Sequence, residues 1–148
     1  MAEILRPVLL GGVDGVITSF AIVAGGESLG TQAIVLVGLS SVLADGISMG
    51  VSEYVSTATS AKRPILSGVA CFGSFVLNGL VPTLLYLAVD GRLLAVAMFS
   101  LVQLMLLGSA RSYVTGENVL RGLLQTTLLG AAAGGVAYAT GTLIKSFQ

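Results

Sequence analysis

This sequence predicts an all-α integral membrane fold, a bundle of five transmembrane helices, and three observations predict it. The 148 residues are 55% hydrophobic and only 9% charged, whereas a water-soluble domain carries roughly 25% charged residues. The mean hydropathy is +0.98. The apolar residues fall into five runs, each near the roughly 20 residues a helix needs to cross hydrocarbon. Lipid admits only helices or closed barrels, and these runs are too long and continuous for barrel strands.

Taken in order, the first helix is expected over about 7–25, after Pro7 and up to Gly25-Gly26-Glu27. Its apolar stretch contains Asp14 and runs too long for a cleavable signal. The second spans 31–60 and ends before Ala61-Lys62-Arg63-Pro64. The third, 65–89, follows Pro64, a residue suited to a helix start, and holds Pro82, which is expected to kink it. Asp90-Gly91-Arg92 separates it from the fourth, 92–110. The stretch from Arg111 through Glu117-Asn118 then leads into the fifth, 119–145. Residues 1–148 thus read as one transmembrane domain with short loops.

Basic residues set the orientation. With the N-terminus in the cytoplasm, Arg6, Lys62, Arg63, Arg111 and Arg121 lie inside and only Arg92 and Lys145 outside. The short loops lean toward a prokaryotic cytoplasmic membrane. Tyr86, Tyr113 and Tyr138 suit the membrane interface. Glycine pairs four apart, Gly11/Gly15, Gly46/Gly50 and Gly130/Gly134, let helices approach closely, within one subunit or between two.

Composition also excludes functions. Seven basic and seven acidic residues give no net charge, which argues against a nucleic-acid partner. There is no histidine, and the single Cys71 lies in an apolar run as a packing residue. No Ser-His or Cys-His pair, phosphate-binding glycine loop or zinc spacing exists, so neither an enzyme nor a resident cofactor is expected.

The informative residues are three carboxylates inside apolar spans, Asp14, Asp45 and Glu53. An ionisable group in hydrocarbon costs a few kcal/mol, so it faces a partner, a bundle interior or a water-filled path. Asp14 has Gly11, Gly15, Thr18 and Ser19 around it, which leaves two readings open: a cation path, or a carboxylate held by a hydroxyl or an arginine. Asp45, Met49 and Glu53 are each four apart and form one slowly drifting helical stripe. A thioether beside carboxylates shifts preference from Mg²⁺ or Ca²⁺ toward Fe²⁺, Mn²⁺ or Co²⁺. Met49 equally suits packing, and Glu53 either guides cations inward or pairs with Lys62, Arg63 or Arg111. Metal entering such a site displaces protons, which would couple the two movements. Asn78, Gln103 and Gln125 read as links between helices.

At these residues the chain resembles the vacuolar iron transporter family. The resemblance is carried by Val13-Asp14-Gly15-Val16-Ile17-Thr18-Ser19-Phe20, by Leu43-Ala44-Asp45-Gly46-Ile47-Ser48-Met49-Gly50 with Glu53-Tyr54, and by Gly79-Leu80-Val81-Pro82. Gly108 to Gly116, with Leu120-Arg121 and Leu124-Gln125-Thr126, continues it. It implies a five-helix homodimer that exports Fe²⁺ or Mn²⁺ from the cytosol against protons. Asp14 and Met49 would line a path between subunits. Where the family pattern places a Glu two turns before the Met, this chain has Ser41, with Asp45 as a substitute one turn before it. Many members insert a cytosolic, Glu- and Met-rich helical domain after the second helix. Here Ser60 leads through Lys62-Arg63-Pro64 straight into the third helix, so a separate protein is a candidate metal supplier. The rival expectations are a non-transporting membrane scaffold and an uncoupled cation channel.

Overall fold

A computed structural model, which describes residues 2–147, consists of five long helices joined by short turns. These are α1 Ala2–Gly26, α2 Thr31–Thr57, α3 Pro64–Ala88, α4 Leu93–Thr115 and α5 Val119–Lys145, with a 3-10 turn Glu27–Leu29 after α1. All five are long and apolar enough to cross a membrane. No strand occurs among the described residues. Leu36, Leu77, Leu94 and Val136 are each about two thirds or more exposed. Such a coat is foreign to a soluble protein and natural against lipid tails. The chain is an all-α membrane protein.

Three helix ends differ from expectation, each for a local reason. α1 begins at Ala2, so Pro7 lies inside it and forgoes one backbone bond close to the start. α2 stops at Thr57 rather than 60. There the Ser56 and Thr57 hydroxyls donate to the Glu53 carbonyl at 3.0 and 2.7 Å, competing with continued helix. α4 runs past Arg111 to Thr115 and ends only at Gly116, whose φ of 73° is left-handed. The Gly116 amide donates to the Ser112 carbonyl, and so does that of Glu117, at 3.0 Å. Asn118 then caps α5, its side-chain oxygen accepting from Leu120 at 2.9 Å. A cap, not a charge, ends this helix. α3 passes through the buried Pro82 without interruption.

α1 touches all four other helices and forms the axis of the bundle. Its neighbours present buried stripes of one residue in four. These are Ile34, Gly38, Val42, Gly46 and Gly50 on α2; Val96, Ser100, Leu104, Gly108 and Ser112 on α4; and Gly122, Thr126, Gly130 and Gly134 on α5. Small residues at this spacing let backbones close on one another. All three glycine pairs pack within one chain: Gly11 and Gly15 against the α3 backbone at Cys71 and Phe75, Gly46 and Gly50 against Phe72, Gly130 and Gly134 against Leu104 and Phe20.

The main apolar cluster lies at the end of the bundle away from the N-terminus. It joins Phe20, Val23, Ala24, Ile34, Tyr86 and Val96, with Leu85, Val89, Leu93 and Ala97 packed against it. Tyr86 is therefore a core residue, 3% exposed, and not an interfacial one. It sits at the right depth for the interface, but its ring turns inward. Tyr113 and Tyr138 are exposed.

A polar link crosses the bundle at mid-height. Ser74 Oγ donates to the Val8 carbonyl at 2.6 Å, and Gln103 Nε2 donates to Asn78 Oδ1 at 3.1 Å. Asn78 Nδ2 in turn donates to the Ser74 carbonyl at 2.9 Å. Asn78→Leu is expected to lower stability by about 1 kcal/mol, the usual scale for a membrane interhelical hydrogen bond. Thermal unfolding in detergent measures it, and an unchanged midpoint would show the link to be energetically idle.

Candidate functional site

The stripe on α2 determines what its acidic face can do. Gly46 and Gly50 are buried against α3. Asp45 and Met49 each precede a buried glycine by one residue, about 100° around the helix. That displacement carries them to the margin of the contact. Met49 is half-buried and reaches the α1 side, whereas Asp45 is exposed.

Asp14, at the middle of α1, meets Met49 in a groove of about 630 Å³. The groove is formed by α1 (Arg6, Leu9, Leu10, Val13, Asp14, Ile17), α2 (Met49) and α4 (Arg111, Val114, Thr115). It extends from the bundle end that bears the N-terminus and stops near Ile17 at mid-height. Asp14 is half-buried and, among the described residues, is the only carboxylate in the lining. Asp45 lies outside the groove but within electrostatic reach of Asp14. Glu53 is half-buried on α2 and does not line the groove.

The predicted set is thus divided. Asp14 and Met49 line one groove, and Asp45 and Glu53 lie outside that lining. Among the described residues no three of His, Cys, Asp and Glu gather as a group able to hold a metal ion. One carboxylate and one thioether supply two or three donor atoms, whereas octahedral divalent ions take about six. A cation in this groove must draw its remaining donors from water or from another chain.

Two groove residues lie outside the predicted site, Arg6 and Arg111: both count in the sequence as orientation charges, and Arg111 also as a candidate partner of Glu53. Arg111 had been placed in a loop. On α4 it directly precedes the buried Ser112, as Met49 precedes Gly50 on α2, and the same one-residue offset turns it into the groove. The four-residue stripe, legible in Ser100, Leu104, Gly108 and Ser112, was the signal that could have found it.

Similarity to known proteins agrees with this geometry. A family profile described as VIT family matches residues 5–63 and 58–142. The two matched segments meet at the α2–α3 turn. A vacuolar iron transporter of Toxoplasma gondii is 49% identical over 59 residues, 38% of this chain and 20% of its own length. One of Plasmodium falciparum is 38% identical over 64 residues, 42% of this chain and 23% of its own. This chain therefore spans about a fifth of the length of these two relatives. Vacuolar iron transporter 1 of Eucalyptus grandis is 21% identical over 218 aligned positions, covering 97% of this chain and 88% of its own. Because 218 exceeds 148, that relative carries intervening segments that this chain lacks.

Proposed function

This chain belongs to the VIT family, and on that premise we propose that it exports divalent transition-metal ions, Fe²⁺ or Mn²⁺, from the cytoplasm in exchange for protons. One observation carries the reading: a carboxylate from α1 and a thioether from α2 share a groove halfway through a membrane bundle. Oxygen and sulfur donors together suit borderline metals better than Mg²⁺ or Ca²⁺. The relatives' printed names, vacuolar iron transporter, support iron as cargo.

The path lies between two copies of the chain. Supporting this, Asp45 is exposed on a membrane-spanning helix, beside the equally exposed Ser48 and Ser52. A carboxylate facing lipid is costly, and a second copy laid over this face would cover it while supplying the donors one groove lacks. Glu53, nearer the end of α2, serves as an entry or proton-carrying group. The α2–α3 turn holds no inserted domain, so a separate protein supplies metal or the groove captures it directly. The relatives named are eukaryotic, which gives a prokaryotic membrane no support. The proposal is confined to a multi-pass membrane protein with its N-terminus in the cytoplasm.

Uptake of Fe²⁺ and Mn²⁺ into proteoliposomes, with and without a pH gradient, tests the reading. The expected result is flux that an opposing proton gradient accelerates several-fold. Flux indifferent to pH identifies a channel, and a folded protein that moves neither metal identifies a scaffold.

A further inference from the structure

Among the described residues, the groove that holds Asp14 is lined by two guanidinium groups, those of Arg6 and Arg111, against one carboxylate. As it stands, its formal lining charge is positive, and a divalent cation entering it would be repelled. Arg111 also lines a second cavity of about 540 Å³ with Glu117, Asn118, Arg121 and Gln125. It is thus the residue common to both spaces. Among the described residues, no ion pair fixes Arg111 in either. Glu117 is held in the outer cavity by the α4 cap, its amide bonded to the Ser112 carbonyl at 3.0 Å. Its carboxylate, on an exposed residue, is a second negative group in a space that Arg111 also lines.

We infer that Arg111 is a tethered cation that competes with the transported metal for Asp14 and withdraws toward Glu117 when metal enters. The inference rests on the transport reading and gives that site a selectivity device. In the resting position this assigns to it, the guanidinium would turn toward Asp14 within the groove that both line. A monovalent ion gains too little from one carboxylate to displace it, whereas a divalent ion gains twice as much. Arg6, exposed at the mouth of the groove, adds a repulsion there. Arg111 is accordingly a positioning residue, acting on metal through Asp14.

Transport kinetics with Mn²⁺ in proteoliposomes provide the test. Arg111→Gln should lower KM about tenfold at unchanged kcat, Arg111→Lys should keep the wild-type KM, and Glu117→Gln should raise KM about threefold by stranding the arm in the groove. A purely structural role would instead lower kcat or protein yield in both Arg111 variants.

A second measurement needs no transport. A Met49→Cys probe in a Cys71→Ala background is modified with anionic and cationic methanethiosulfonates. The anionic reagent should react about tenfold faster, and Arg111→Gln should abolish that preference. An Arg111→Gln protein with unchanged KM and unchanged reagent preference overturns the inference. If Asp14→Asn leaves metal flux intact, the transport reading falls instead, and the reagent pair alone then decides whether Arg111 governs the charge of the groove.

Discussion

Replacing Asp14 with Asn is expected to reduce Fe²⁺ or Mn²⁺ flux about a hundredfold while leaving a folded protein of unchanged oligomeric state. The substitution is nearly isosteric and removes the only carboxylate that lines the groove among the described residues. Two unit charges 4 Å apart interact by about 4 kcal/mol at an effective dielectric near 20, and a divalent ion doubles that. Most of the gain is returned in stripping water from the ion. A net loss of about 3 kcal/mol nevertheless corresponds to roughly a hundredfold in affinity. Radiotracer or fluorescent-chelator uptake reports the flux, and size-exclusion chromatography of the same preparation reports the fold. Intact flux in the Asn variant would remove Asp14 from the path. Lost flux accompanied by aggregation would instead assign it a structural role.

Gly15→Ala is expected to destabilise the bundle by about 1–3 kcal/mol, the usual cost of overpacking a closed contact. A β-carbon at Gly15 would fall onto the carbonyl oxygen of Phe75, and one at Gly11 onto that of Cys71. Both obstacles are backbone, so no rotamer change relieves them, and α1 and α3 must separate. This is the most extensive helix contact in the molecule, and it sets the position of Asp14. Gly73→Ala and Gly135→Ala are the matched controls, because nothing lies within 4 Å of a β-carbon at either. They should be neutral or stabilise by up to about 1 kcal/mol, since alanine loses less chain entropy in a helix. Unfolding midpoints in detergent compare all three, and a Gly15→Ala protein melting with its controls would refute the contact argument.

The five helices were legible because hydropathy alone decides what enters a membrane, and no competing element satisfies the backbone there. Their ends were less so. Arg111 looked like the end of a span, yet α4 continued until Gly116 and Asn118 provided the geometry to stop it. Charge marks where a helix leaves hydrocarbon, while capping marks where it ends. The meeting of Asp14 and Met49 came from the family resemblance, and the groove agrees with it.

Asp45, Met49 and Glu53 form one drifting stripe on α2, and packing decides how each of them lies. Residues four apart advance about 40° per step, so the three fan across the helix surface. Which of them turns inward was decided by the smaller neighbours Gly46 and Gly50, which won the approach to α3. Small residues dictate the seam in membranes, because apolar bulk gains nothing there that lipid does not already offer.

The bundle's packing is lopsided. Phe20, Val23, Ile34, Tyr86 and Val96 fill the end opposite Arg6 and Arg111, and the groove occupies the other half. On the proposed function, with the groove end in the cytoplasm, the molecule is a vestibule open on the supply side and corked on the delivery side. Each cycle of the proposed export would then have to uncork that packed region, so the same aromatic and aliphatic contacts that stabilise the protein would also set its turnover. Loosening them would trade a slow, tight carrier for a fast, leaky one.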